Sequence, residues 1–204
     1  MATVTEAINR AARKLPIWPL YIVLLIPVPW WLWLAQNGGL GREPIKALEQ
    51  ELGEMALRLL IAGLCVTPLR RHAGINLIRF SRAIGLTAFA YVCLHLLVWV
   101  GLDMSLLWSQ MWADILKRPY ITIGMAGFAC LVPLAATSNG ASIRKLGAAG
   151  WQKLHRLTYV AVLLGGLHYI LLAKGFRIEP LIYMAVILGL LALRLPFVRR
   201  RHAA

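Results

Sequence analysis

The chain has 204 residues, 60% of them hydrophobic, and a formal net charge of +14 at pH 7. It contains six long apolar runs, whereas a soluble core of this size could bury only one or two such helices. The composition therefore excludes a soluble globular protein. It predicts a single membrane domain over residues 1–204. We expect the positive charge to interact with membrane lipids and not with nucleic acid.

The six apolar runs, in chain order, predict six membrane-spanning helices. They are residues 17–35, 52–69, 83–102, 120–136, 151–173 and 180–198. A bilayer core of about 30 Å needs roughly 20 helical residues. The second run carries Glu54 and Arg58 in its first turns, and the fourth run is short. We expect an all-α, six-span transmembrane bundle with short cytoplasmic tails at residues 1–15 and 199–204.

The basic residues are concentrated on one side of this predicted bundle. With six spans both termini share a side, and that side receives 15 Lys and Arg residues against one acid, Glu6. The opposite side receives seven basic and seven acidic residues. Lys and Arg in short loops remain in the cytoplasm, so both termini are predicted to be cytoplasmic. These basic loops could serve topology and lipid head groups alone, or they could also bind anionic cofactor groups or an acidic electron donor.

Three histidines lie inside the apolar runs, where an ionisable side chain is costly and is a functional candidate by default. His95 lies in the third run, and His155 and His168 lie in the fifth. Histidine is a common ligand of metals and of heme iron. We expect no intramembrane acid beside these residues. For each of them the alternative is a hydrogen-bonded packing histidine.

The spacing of these histidines predicts two levels in the bundle. Spans three and five both run outward from the cytoplasm. Arg82 precedes His95 by 13 residues, and His155 precedes His168 by 13 residues. At about 1.5 Å per residue, each pair is about 20 Å apart along its helix. His95 and His168 therefore share the outer level, where a bis-histidine heme between spans three and five is the predicted site.

The level near the cytoplasm pairs Arg82 with His155 and allows three interpretations. His155 could ligate a second heme, with Arg82 and Arg156 near a propionate. A flavin phosphate, or no cofactor at all, would also fit. Thirteen residues leave two side chains about 140° apart on a straight helix, so His155 and His168 cannot both face span three without a bend. The sequence has no CxxCH motif, so covalently attached heme is not expected.

Four motifs spread along nearly the whole chain resemble one known family. They are Gly38-Gly39-Leu40-Gly41 with Pro44; Arg82, Gly85-Leu86 and His95; Arg118-Pro119-Tyr120-Ile121-Thr122 with Gly124; and Trp151, Leu154-His155-Arg156, Tyr159 and His168-Tyr169. The motifs and their order are similar to those of the MsrQ (YedZ) family, the heme-binding membrane subunits of the bacterial protein-methionine-sulfoxide reductase system. That family is part of the ferric-reductase-like transmembrane group.

The resemblance implies a cofactor set, a location and partners. It implies b-type heme, one or two per chain, with FMN, in the bacterial inner membrane. The implied iron ligands are His95, His168 and His155. Electrons would pass to a periplasmic molybdopterin-containing catalytic subunit, MsrP, which repairs oxidised methionine in proteins. The chain shows no nucleotide-binding glycine-rich pattern, so a cytoplasmic flavin reductase or the quinone pool would be the donor.

Two other functions stay open at this point. The chain could be a cytochrome b-like ferric or metal reductase subunit, with iron rather than a protein as the outer acceptor. It could also be a small transporter with packing histidines. Glu54 is the only Asp or Glu in the six apolar runs, which argues against a proton-coupled carrier.

Overall fold

The computed structural model describes residues 4–173 and 177–194, and these residues form α-helices without any strand. The helices are α1 (Val4–Lys14), α2 (Trp18–Leu25), α3 (Pro27–Gln36), α4 (Pro44–His72), α5 (Ser81–Val98), α6 (Trp108–Lys117), α7 (Pro119–Ala136), α8 (Gly140–Leu154), α9 (Leu157–Leu172) and α10 (Ile178–Ala192). A 3₁₀ turn, Ile78–Phe80, precedes α5, and a π-helical turn, Trp99–Asp103, follows it. The predicted tail 199–204 lies outside the described residues.

The all-α membrane bundle is confirmed, but its spans are less uniform than the sequence predicted. Four of the described helical segments are long and apolar enough to cross a membrane: Trp18–Gln36, Pro44–His72, Ile78–Asp103 and Pro119–Ala136. The bent pair α8–α9 makes a fifth if it counts as one span. Helix α10 has only 15 described residues, and the predicted run 180–198, which overlaps it, continues beyond the described part of the chain.

The fifth predicted run, residues 151–173, is not one continuous helix. Helices α8 and α9 meet at His155 and Arg156 with a bend of 41°. The Asn139 side chain caps α8 by accepting a hydrogen bond from the Ser142 N–H at 2.8 Å. Helix α8 therefore begins well before the apolar run. His155 lies at the junction of the two helices and not within a straight span. The predicted distance of 13 helical residues from His155 to His168 therefore holds along α9 but not across the junction where His155 lies.

Helix α4 begins eight residues earlier than the second apolar run. Pro44 occupies its first turn, where the missing N–H costs nothing. The helix has 29 residues, about 43 Å at the usual rise, and is longer than a bilayer core. As a result Glu49, Glu51 and Glu54 are all helical residues of α4, whereas only Glu54 lies in the predicted second run.

The predicted cytoplasmic tail at residues 1–15 is largely a docked helix, α1. Asn9 fixes α1 to the loop between α4 and α5: its Nδ2 donates to the Gly74 carbonyl at 2.9 Å, and its Oδ1 accepts from the Asn76 N–H at 2.8 Å. Arg79 donates to the Ala12 carbonyl near the end of α1 at 2.8 Å. These bonds hold the start of the first span beside the α4–α5 connection.

The core lies between two closely packed helix pairs. Helix α4 packs along α5, and α7 packs along α9. Buried side chains from both pairs and from α10 form one continuous apolar cluster, among them Leu52, Leu64, Tyr91, Val162 and Ile187. The Tyr91 hydroxyl donates to the Leu24 carbonyl at 2.7 Å and thereby ties the first span to this core.

Arg194 supplies a hydrogen-bond donor that Pro68 removes from the interior of α4. Proline has no N–H, so the Leu64 carbonyl loses its donor within the helix. Arg194 Nη2 donates to that carbonyl at 2.8 Å, and Nη1 donates to the Tyr159 hydroxyl at 2.9 Å. The end of α10 is thus bonded to both α4 and α9.

This arrangement predicts that Arg194→Met destabilises the bundle through the orphaned Leu64 carbonyl, by about 1–3 kcal/mol. In a Pro68→Ala background the Leu64 carbonyl regains its helical donor, so the same change should cost less. Unfolding by denaturant in mixed micelles, measured for the two single variants and the double variant, gives the coupling between the two sites. Equal costs of Arg194→Met in both backgrounds would contradict this role.

Candidate functional site

A cavity of about 460 Å³ lies between the two helix pairs, at the end where α4 and α7 begin. Its volume is within the roughly 300–1,000 Å³ that is typical of small-molecule and cofactor sites. Its deep walls are mostly apolar, including Leu57, Val92 and Phe128. His95 from α5 and His168 from α9 both line the cavity, and their ring centroids are 6.2 Å apart at an interplanar angle of 85°. The predicted pair of outer histidines is therefore brought together.

Each of these histidines is bonded to the backbone of the neighbouring helix. His95 Nδ1 lies 2.8 Å from the Glu49 carbonyl of α4, and His168 Nδ1 lies 2.7 Å from the Tyr120 carbonyl of α7. A carbonyl only accepts, so Nδ1 is the donor in both bonds. In a neutral imidazole the lone pair is then on Nε2. This is the orientation in which metal-ligating histidines are usually held by a second partner.

A glycine makes room for each imidazole. Gly53 follows Glu49 by four residues, and Gly124 follows Tyr120 by four residues. A Cβ at Gly53 would lie 3.0 Å from His95 Nδ1, and one at Gly124 would lie 2.9 Å from His168 Nδ1. In an α-helix the residue at i+4 donates its N–H to the carbonyl of residue i. Glycine at that position leaves the second lone pair of the carbonyl open to the imidazole.

The expectation of no acid beside the histidines is wrong. Glu49 Oε1 lies 4.0 Å from His95 Nε2, and Glu54 also lines the cavity. The physical reason is the early start of α4, which places residues assigned to an outer loop on the cavity wall. Among the described residues, no group of three or more His, Cys, Asp or Glu side chains could hold a bare metal ion. Two imidazoles facing one space suit a planar metal cofactor better.

Two cations at the mouth of the cavity were missed by the sequence analysis. Lys46 and Arg118 line the mouth. Lys46 Nζ lies 3.0 Å from Glu43, and Arg118 donates to the Tyr120 hydroxyl at 3.1 Å. A signal was available for Arg118, because it begins one of the four motifs on which the family resemblance rests.

The structure does not bring His155, Arg82 or Arg156 to this cavity. The His155 ring stacks on Trp151 with centroids 3.7 Å apart, and its Nε2 lies 3.3 Å from the Thr137 hydroxyl. That hydroxyl donates to the Pro133 carbonyl at 2.6 Å, which favours Nε2 of His155 as the donor to Thr137. Arg82 and Arg156 are exposed. In contrast to His95 and His168, His155 is held through the nitrogen that the outer pair leaves free.

A helical membrane bundle with two histidines facing one cavity has a counterpart among known families. Residues 52–166 match the family described as ferric reductase like transmembrane component. This segment covers more than half of the chain. It runs from α4 through most of α9, and it contains His95 and both glycines but ends two residues before His168.

Similar proteins with assigned names identify one family within this ferric-reductase-like group. Proteins named protein-methionine-sulfoxide reductase heme-binding subunit MsrQ are 48% identical in Caulobacter vibrioides, over 85% of this chain and 83% of that protein, and 48% identical in Agrobacterium fabrum, over 88% and 83%. The protein of that name in Brucella ovis is 45% identical over 92% of this chain and 86% of its own length. The chain therefore belongs to the MsrQ family of ferric-reductase-like transmembrane proteins.

The close approach of Gly124 to His168 predicts that Gly124→Ala is destabilising. The new methyl group must displace either the imidazole or α7, a type of overpacking that costs about 1–3 kcal/mol. Gly189→Ala in α10 is the matched control, because its Cβ would meet no atom within 4 Å. Denaturant unfolding in micelles compares the two variants. A Gly124→Ala protein as stable as Gly189→Ala would refute the close contact.

Proposed function

We propose that this chain is a heme-binding electron-transfer subunit of the membrane, with a b-type heme held between His95 and His168. The observation that carries the proposal is the pair of Nδ1–carbonyl bonds, which leave both Nε2 atoms as free ligands at one cavity. The names of the MsrQ relatives support heme as the cofactor.

The residues of the cavity fit a heme in three respects. The two imidazoles come from different helix pairs and would hold the heme iron through their Nε2 atoms. Gly53 and Gly124 keep the space beside each imidazole open, and the deep walls are apolar. Lys46 and Arg118 at the mouth are suited to bind propionates by charge-assisted hydrogen bonds. A heme bound there would supply a one-electron redox centre.

The chain's own residues set the conditions for that chemistry. The Nδ1 bonds fix the ring orientations and increase the basicity of the ligating nitrogens. The apolar walls exclude water and lower the local dielectric. Since the ligands are fixed to helix backbones, little rearrangement accompanies a change of charge at the site.

The location of the site supports a direction for electron transfer. We infer that both termini are in the cytoplasm of a bacterial inner membrane, since the basic residues are concentrated on that side. The mouth of the cavity then faces the periplasm. The chain would receive electrons from a cytoplasmic flavin reductase or the quinone pool and pass them to a periplasmic molybdopterin-containing subunit, MsrP, which repairs oxidised methionine.

The description of the family model favours one alternative, a ferric or metal reductase subunit. Both functions would use the same cavity and differ only in the outer acceptor. Reoxidation of the reduced protein separates them: oxidation by the catalytic subunit but not by a ferric chelate supports the proposed function, and the reverse result supports the alternative.

The first test concerns the two ligands. His95→Ala or His168→Ala removes one axial ligand and should abolish most of the low-spin heme absorption of the purified protein. His72→Ala is the control, because His72 is exposed at the end of α4. A His168→Ala protein that keeps the wild-type heme content and low-spin spectrum would refute the assignment.

A second cofactor near the cytoplasm is a separate part of the proposal. His155 would ligate a second heme, or border a flavin such as FMN, with Arg82 and Arg156 near its anionic groups. Both arginines are exposed and lie at the start of α5 and at the α8–α9 junction. His155 would first have to exchange its contact with Thr137 for the cofactor. A centre at this level would divide the crossing into shorter steps.

Two variants test this second centre. His155→Ala and Arg82→Ala should slow reduction by the cytoplasmic donor, with little effect on the outer low-spin signal. Reduction is followed by heme absorbance with the donor and, in parallel, with a chemical reductant that needs no specific entry site. If the donor reduces both variants at the wild-type rate and the cofactor content is unchanged, His155 is a packing residue.

A further inference from the structure

A network of charged and polar side chains borders the cavity and includes neither of the two proposed histidine ligands. Its centre is Glu54 of α4. Oε1 of Glu54 accepts from the Tyr169 hydroxyl at 2.9 Å and from Gln50 Nε2 at 2.8 Å, and Oε2 accepts from Arg58 Nη2 at 2.7 Å. Both carboxylate oxygens are thus occupied by donors, which is the arrangement that suits an ionised carboxylate.

The network has a defined orientation relative to the cavity. Glu54, Gln50 and Tyr169 line the cavity, whereas Arg58 does not. Arg58 Nε instead donates to the Tyr183 hydroxyl of α10 at 2.7 Å. Tyr169 directly follows His168 in the chain. The carboxylate is therefore the member of the ion pair that borders the cavity lined by the two histidines.

Glu54 is also the better buried member of the pair. Its side chain is 10% exposed, against 43% for Arg58. A buried ion pair often contributes little net stability, because desolvation offsets the attraction between the charges. Ionisable groups within membrane segments are therefore functional candidates, and the position of this one at the cavity wall indicates what it acts on.

We propose that Glu54 is a fixed negative charge that lowers the reduction potential of the iron held by His95 and His168. This inference rests on the function proposed above. Ferric iron carries one more positive charge than ferrous iron, so a nearby carboxylate stabilises the oxidised state. The interaction is weakly screened because the surroundings have a low dielectric. Tyr169 and Arg58 act as positioning residues that hold the carboxylate at the wall.

The lower potential has a consequence for electron transfer. A centre that is harder to reduce is a stronger reductant once it has been reduced. Glu54 would therefore favour the onward step from the outer centre to the periplasmic acceptor. Nearby charge and burial are two of the means by which a protein adjusts such a centre without changing its axial ligands.

The experiment is a potentiometric titration of the heme in Glu54→Gln. Glutamine keeps the shape and the acceptor oxygen for Tyr169 but removes the charge. The midpoint potential should rise by an amount equal to about a tenfold shift of the ferric–ferrous equilibrium, 59 mV for one electron. Glu43→Gln is the matched control: Glu43 also lines the cavity but its side chain is 68% exposed, so solvent screens it and the potential should hardly move.

Two further variants keep the test decisive. Glu54→Asp retains the charge and should restore a potential near that of the wild type. Arg58→Gln removes the opposing cation while Gln50 and Tyr169 still bind the carboxylate, so it should lower the potential. If Glu54→Gln does not retain heme, the midpoint potential of Arg58→Gln is the test, and the inference requires that it be lower than that of the wild type.

Three results would overturn the inference. They are an unchanged potential in Glu54→Gln with full heme content, an equal rise in Glu43→Gln, and an unchanged or higher potential in Arg58→Gln. A wild-type protein without any heme would instead refute the proposed function itself, and the two failures are therefore distinguishable.

Discussion

The hydrogen bond from an imidazole Nδ1 to a helix carbonyl is the interaction on which the rest of the site depends. It occurs twice, from His95 to the Glu49 carbonyl and from His168 to the Tyr120 carbonyl. Each bond settles the tautomer, the ring orientation and the atom that is left for a ligand. Each also joins the two helices of a pair, α4 with α5 and α7 with α9. Ligand geometry and helix packing are therefore specified by the same contact.

This constraint explains why the wall beside each histidine contains glycine. A carbonyl can accept two hydrogen bonds only if nothing covers its second lone pair, and a Cβ four residues later would do so. Gly53 and Gly124 meet this requirement with Cβ positions 3.0 and 2.9 Å from the two Nδ1 atoms. The cost of glycine within a helix, about 1 kcal/mol relative to alanine, is offset by the bond that it permits.

The sequence predicted the outer histidine pair because helices have a fixed rise per residue, so equal spacing from the cytoplasmic ends places His95 and His168 at one depth. It failed where polar residues hide helical structure. Glu49 and Glu51 made the start of α4 resemble a loop, although Pro44 is a typical first-turn residue. It also failed at His155, because the chain bends by 41° between α8 and α9 there. Helix α8 starts at the Asn139 cap and is itself kinked at Gly147, whose φ of +69° is unsuited to other residues.

The acidic wall could not be predicted for a related reason. Glu54 and Tyr169 are 115 positions apart in sequence and meet only when the two helix pairs pack together. Their contact places a charged, hydrogen-bonded group on the cavity wall beside its apolar lining.

An experimental structure of the purified protein with heme bound is the most direct test of the histidine pair. We expect the iron to be ligated by Nε2 of His95 and Nε2 of His168, with both Nδ1–carbonyl bonds still formed. Ligation through Nδ1, an iron bound to only one of the two histidines, or loss of either carbonyl bond in the loaded protein would contradict it.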